Sequence, residues 1–105
     1  MATILTKQHD TKITFTDTPT IDGVAVPPAN LIGATLKFLM KGDTITISQP
    51  ATIMPDGTFS YAPQATDVAT PGDYKQEWEV LFPGNKPLTF PNGSYNVVKI
   101  LPDLG

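Results

Sequence analysis

Few residues in this chain have the type and spacing that catalysis requires. The single histidine, His9, stands beside Asp10, but a catalytic dyad also needs a nucleophile within hydrogen-bond reach, and no motif supports a serine in that role. The chain has no cysteine, which excludes disulfides, thiolate metal sites and thiol nucleophiles. We therefore predict that the protein is not an enzyme and that His9 is solvated.

The acidic residues could form two further kinds of site. Glu77 and Glu79 are two residues apart, so on a strand they lie on one face, as a glycosidase pair could. Lys75 shares that face, and an exposed charged row explains all three residues more simply. Loop aspartates could bind calcium, and seven aspartates fall in predicted loops: Asp17, Asp22, Asp43, Asp56, Asp67, Asp73 and Asp103. They form no D-x-D-x-D run and suit turn geometry, so we predict no metal and no cofactor.

The aromatic residues could stack on a sugar, which would require Trp78, Tyr61 or Tyr95 to face solvent. Trp78 stands on an alternating strand, and this position favours the core. The basic residues occur singly and the net charge is −3, so the chain has no surface suited to a nucleic-acid backbone. No stretch has the roughly 18 consecutive apolar residues that a membrane span needs. Nucleic acid and membrane are therefore not predicted partners.

The elements that would position these side chains are strands. Charged residues make up 16% of the 105 residues, and Thr, Pro, Asn and Gly are frequent, as is typical of strands joined by turns. Apolar residues recur with period two, and turn signals such as Asp56-Gly57 follow one another roughly every 8–12 residues. We predict one all-β domain over residues 1–105, an immunoglobulin-like β-sandwich of about seven antiparallel strands with a short N-terminal arm.

The same alternation predicts the core and three local features. Residues 31–41 are expected to be a strand, with a short helix as the alternative, and Pro50 is expected to end the next strand. Residues 18–30 form the longest irregular connection. The predicted core residues are Phe15, Leu36, Phe38, Tyr74, Trp78 and Val80.

Four segments carry a resemblance to a known family. They are residues 30–40 (NLIGATLKFLM), 56–61 (DGTFSY), 70–80 (TPGDYKQEWEV) and 89–100 (TFPNGSYNVVKI). In this order and spacing they resemble the strands of the N-terminal domain of phage baseplate upper proteins. The resemblance implies a catalytically silent structural module of a virion, placed in the tail, baseplate, neck or capsid.

Function is therefore expected to lie in protein contacts. The implied partners are other virion proteins, in multiple copies of a symmetric assembly, and the implied location is the virion after synthesis in the host cytoplasm. The alternative is a free-standing immunoglobulin-like module that binds a ligand or carbohydrate. Apolar residues outside the core pattern are the candidate contact residues: Ile4, Leu5, Pro27, Pro28, Leu101 and Leu104.

Overall fold

The alternating segments of the sequence form strands. The computed structural model describes residues 3–9, 12, 14–91 and 95–102. Two short 3-10 helices, Pro28–Leu31 and Ala65–Val68, lie in the connections. Within the described residues there are ten strands: β1 Thr3–Lys7, β2 Phe15–Asp17, β3 Thr20–Ile21, β4 Val24–Ala25, β5 Thr35–Lys41, β6 Thr46–Ile53, β7 Phe59–Tyr61, β8 Gly72–Phe82, β9 Lys86–Phe90 and β10 Asn96–Leu101.

β8 lies at the centre of the sheet, and from Tyr74 to Val80 its side chains alternate between the core and the outer face. On one side it pairs antiparallel with the whole of β5. Its other side is shared, because β10 pairs with its first half and β9 with its second half. β9 and β10 thus form one returning segment, interrupted between Phe90, opposite Trp78, and Asn96, opposite Gln76.

The sheet curls so that two layers face each other across the core. Its strand order is β1-β10-β8-β5-β6-β7-β2, with β9 beside β8 and a separate β3–β4 hairpin. Residues 46–51 of β6 pair with β5, whereas Thr52 and Ile53 pair with β7, so β6 passes from one layer to the other. β1 runs parallel to β10, and the other pairs are antiparallel.

Two features match the immunoglobulin-like pattern. β2 pairs with β7 in one layer, while β10, β8, β5 and β6 are successive neighbours in the other. At the start of β8, the Tyr74 hydroxyl donates a hydrogen bond of 2.6 Å to the carbonyl oxygen of Thr70, four residues upstream. A tyrosine with this backbone contact is the tyrosine corner of such sandwiches. The predicted all-β sandwich is confirmed.

Three local expectations need correction. There are ten strands in the described ranges rather than about seven, partly because residues 18–30 contain the β3–β4 hairpin and most of a 3-10 helix. The 31–41 segment begins at the end of that helix and becomes strand only from Thr35. Pro50 does not end a strand but lies within β6. This part of β6 pairs only with β5, so it is a sheet edge that tolerates a residue without an N–H.

The core is built around stacked aromatic rings from both layers. All six predicted core residues are buried. The Phe38 ring of β5 lies 5.2 Å from the Phe15 ring of β2 and 4.4 Å from the Tyr61 ring of β7, centroid to centroid. The Trp78 ring of β8 meets Phe38 edge-on at 5.3 Å. Aromatic contacts therefore join the two layers.

Gly42, in the β5–β6 turn, provides the space for the tyrosine corner. A Cβ atom at this position would lie 2.6 Å from Cε2 and 2.8 Å from Cδ2 of Tyr74. The ring cannot move away freely, because its hydroxyl is bound to Thr70. We expect Gly42→Ala to lower the free energy of unfolding by about 1–3 kcal/mol, measured by urea denaturation. Thr44→Ala, an exposed change in the same turn, should stay within about 0.5 kcal/mol of wild type; equal effects of the two changes would contradict this packing.

Candidate interaction surfaces

The large apolar side chains that remain exposed fall into two groups. One group lies in the connections at one end of the sandwich: Ile21, Val24, Ile32 and Met54. The other lies on or beside the outer side of the large layer: Leu5, Leu81, Tyr95 and Leu101. Both groups combine apolar area with flanking charge, as protein contact surfaces do.

The first group, together with the adjacent Pro27 and Pro28, is here called the loop surface; its residues are Ile21, Val24, Pro27, Pro28, Ile32 and Met54. Ile21, Val24 and Pro27 line a shallow hollow of about 200 Å³. Pro28, Ile32 and Met54 line a second hollow of about 310 Å³. Ile32 is 78% exposed and Val24 69% exposed, so both offer almost their whole side chains to a partner.

Local backbone geometry fixes the loop surface. Asp22 (φ 52°) and Gly23 (φ 79°) form the two-residue turn between β3 and β4, and a turn with two positive φ values suits this Asp-Gly pair. The β6–β7 turn packs against the 28–31 helix, because a Cβ at Gly57 would lie 3.2 Å from Cγ of Pro28. Asp56 shapes that turn by accepting hydrogen bonds from the backbone N and the hydroxyl of Thr58 at 3.0 and 2.7 Å. The bond from the Thr58 hydroxyl contributes most to lowering the pKa of Asp56, and the bond from the Thr58 backbone N–H lowers it further.

The second area, here called the basic face, is the outer side of β1 and β10 with the adjoining halves of β8 and β5. Lys41 on β5 stands directly opposite Lys75 on β8, and the Lys75 ammonium lies 4.9 Å from the centroid of the Tyr95 ring. Leu5 stands opposite Lys99. The exposed residues of the basic face are Leu5, Lys7, Lys41, Asp73, Lys75, Tyr95, Lys99 and Leu101.

The structure places four of the six predicted contact residues in these areas. Pro27 and Pro28 lie exposed on the loop surface. Leu5 and Leu101 lie exposed on the basic face. Ile4 is half-buried and packs against the core, on the side of β1 opposite to Leu5. Leu104 lies outside the described residues.

Four residues of the loop surface were missed from the sequence: Ile21, Val24, Ile32 and Met54. Ile21 and Val24 flank Asp22-Gly23, a strong hairpin signal that could have predicted β3 and β4. Ile32 lies between the 28–31 helix and Gly33, whose φ of 80° belongs to a turn. The alternation of buried and exposed residues in a strand therefore does not apply to Ile32. Their exposure depends on how the connections pack, and sequence periodicity does not carry that information.

The aromatic residues that a sugar platform needs face mainly inward. Trp78 and Tyr61 are buried, whereas Tyr95 is 37% exposed on the basic face. The Trp78 indole Nε1–H donates to Oδ2 of Asp17 at 3.2 Å, and the Asn96 amide donates to the same oxygen at 3.0 Å. Asn96 also donates to Oε1 of the fully buried Gln76 at 2.9 Å. The polar end of Trp78 is thus part of a network that joins β2, β8 and β10.

The other titratable residues occupy structural positions. The backbone N–H of His9 donates to the carbonyl of Val68 at 2.9 Å, and His9 has a φ of 66°. Glu77 and Glu79 lie half-buried on the outer side of β8. Among residues 3–9, 12, 14–91 and 95–102, no group of three or more His, Cys, Asp or Glu side chains is arranged to hold a metal ion.

Two buried phenols predict a loss of stability at high pH. Burial raises the pKa of Tyr61 above 10.0, and its hydrogen bond to the buried Asp67 raises it further. Burial also raises the pKa of Tyr74. Above pH 10 the unfolded chain releases these protons more readily than the folded protein, so the free energy of unfolding should fall as pH rises. Denaturation at a series of pH values should show this fall, and Tyr61→Phe with Tyr74→Phe should make it shallower. An unchanged slope would contradict the assignment.

Comparison with family models and with curated proteins identifies no relative of this chain. No family model matches the sequence, and no curated protein matches it. The only helical segments in the described part are the two four-residue 3-10 helices, and neither could span a membrane.

Proposed function

We propose that this protein is a structural component of a bacteriophage particle and works by docking on neighbouring virion proteins. The observation that carries the proposal is the loop surface, where Ile32 and Val24 are 78% and 69% exposed. Contiguous apolar area with polar residues around it is typical of protein contact sites. The resemblance of four segments to the N-terminal domain of phage baseplate upper proteins supports the virion context.

The arrangement of aromatic side chains favours this proposal over carbohydrate binding. A sugar platform needs an exposed aromatic face, but Trp78 and Tyr61 are buried in the stacked core. Tyr95 is the more exposed aromatic, and the ammonium of Lys75 lies over its ring. A ligand stacking on that side of the ring would have to displace this lysine.

The test is rebinding to particles of the source phage assembled without the protein. Purified protein should bind saturably, with a stoichiometry that matches a symmetry of the particle. Val24→Asp with Ile32→Asp should weaken binding by at least about tenfold, because it places charge in the apolar contact. Ser48→Asp, an exposed change on the outer side of β6, is the matched control and should bind like wild type.

Absence of binding between the purified protein and these particles at every concentration would overturn the proposal. A glycan screen, read by the fluorescence of the single tryptophan, would then test the carbohydrate-binding alternative.

A further inference from the structure

The loop surface and the basic face lie towards opposite ends of the large layer. The loop end of the pair of strands β5 and β8 is marked by Thr35 opposite Leu81, and the other end by Lys41 opposite Lys75. Six residues of extended strand separate these pairs, which is about 20 Å. The molecule is elongated, with extents of 45 × 23 × 22 Å. One copy therefore presents the two areas to different neighbours.

The two areas are complementary in charge and alike in apolar character. The basic face carries the exposed Lys7, Lys41, Lys75 and Lys99 against two acidic residues, the exposed Asp73 and the half-buried Glu77, in a chain whose net charge is −3. The loop surface is flanked by exposed aspartates. Asp22 lies between Ile21 and Val24, and Asp56 lies two residues after Met54. Lys86, at the start of β9, and Lys37, two residues after Thr35, are exposed lysines towards that end of the sandwich.

Lys41 stands directly opposite Lys75, and the half-buried Glu77, which lines the same hollow, offsets part of their repulsion. Like charges directly opposite each other on antiparallel strands destabilise the sheet. An acidic partner would relieve this repulsion, and the nearby Leu5, Leu101 and Tyr95 supply apolar area for the same contact.

We propose that the loop surface of one copy docks on the basic face of a second copy of this chain. The two areas differ, so the contact is head-to-tail rather than two-fold symmetric, and its repetition builds a ring or a helical array. This inference deepens the proposed function and rests on it, since it names a second copy as one of the neighbours in the particle.

The test uses two blocked variants of the full chain. Val24→Lys with Ile32→Lys blocks the loop surface, and Leu5→Glu with Lys41→Glu blocks the basic face. All four positions are exposed or nearly so, and circular dichroism should show both variants folded. In sedimentation velocity, the wild-type mass should rise with protein concentration and fall with added salt. Each variant alone should associate at least about tenfold more weakly.

Mixing the two variants should restore a single contact. The intact loop surface of one variant can dock on the intact basic face of the other, so an equimolar mixture should give a 1:1 dimer that grows no further. Val24→Glu with Ile32→Glu is the matched control. This variant should weaken association less than the lysine changes do, because the lysines of the basic face attract the introduced glutamates. A wild-type protein that stays monomeric, or a mixture that stays monomeric, would overturn the inference. Saturable binding of a monomeric wild type to particles would overturn the inference alone and leave the proposed function standing.

Discussion

Phe38→Ala is expected to lower the free energy of unfolding by about 3–5 kcal/mol, the largest effect of any single substitution considered for this protein. Phe38 is fully buried and contacts the rings of Phe15, Tyr61 and Trp78. Its removal leaves a cavity and breaks three aromatic contacts, of which those to Phe15 and Tyr61 join the two layers. Because domains of this size are stable by only about 5–15 kcal/mol, the urea midpoint should fall steeply.

The control for Phe38 lies next to it in the sequence. Leu39 is on the outer side of β5 and is half-buried, so Leu39→Ala should cost clearly less than Phe38→Ala. Phe38→Leu should also cost less, since it keeps much of the buried volume. A cost below about 1 kcal/mol for Phe38→Ala would show that the stack does not centre on this ring.

Asp17→Leu should have the second largest effect, a loss of about 2–5 kcal/mol. Oδ2 of Asp17 accepts hydrogen bonds from the buried Trp78 indole and the buried Asn96 amide. A leucine would leave both donors without this acceptor, and a buried donor that loses its partner costs about 1–3 kcal/mol. Denaturation measures the loss. The indole N–H resonance of the single tryptophan should shift, which tests the contact directly.

Asp17→Asn is the matched variant. Its remaining side-chain oxygen can accept from the two buried donors. Its NH2 group then replaces Oδ1, so the exposed backbone N–H of Thr18 loses the acceptor that it has in the wild-type protein. It should therefore cost about 1–2 kcal/mol, less than leucine. Equal losses for the two variants would contradict this account, because asparagine keeps an acceptor for the two buried donors and leucine keeps none.

Local patterns in the sequence predict much of the layer that contains β8. Tyr74, Trp78 and Val80 stand at even-numbered positions of β8, so they lie on one face of the strand, and all three are buried. Asp56-Gly57 predicts the β6–β7 hairpin, in which Met54 donates to the carbonyl of Thr58 at 2.7 Å. In both cases the cause lies within a few residues of the effect, so the pattern is sufficient.

Other features depend on residues far apart in the chain, and the sequence does not reveal them. Asp17 bonds to Trp78 and Asn96, which are 61 and 79 positions away. Pro50 lies in the part of β6 that pairs with β5 alone, because β7 pairs only with Thr52 and Ile53. The open edge beside Pro50 tolerates a residue without an N–H. The contact candidates divide in the same way: Pro27 and Pro28 were predicted from local apolar character, whereas the exposure of Ile32 follows from packing between connections.

The parallel pairing of β1 with β10 also determines how the domain responds to force. Thr3 lies beside Val97 and Lys7 beside Leu101, so the chain enters the pair at one end and leaves it at the other. Tension applied through residues 3 and 101 pulls the two strands past each other along their length. The interstrand hydrogen bonds are then loaded together in shear rather than opened one after another, so the parallel pair resists being peeled from the edge of the sheet.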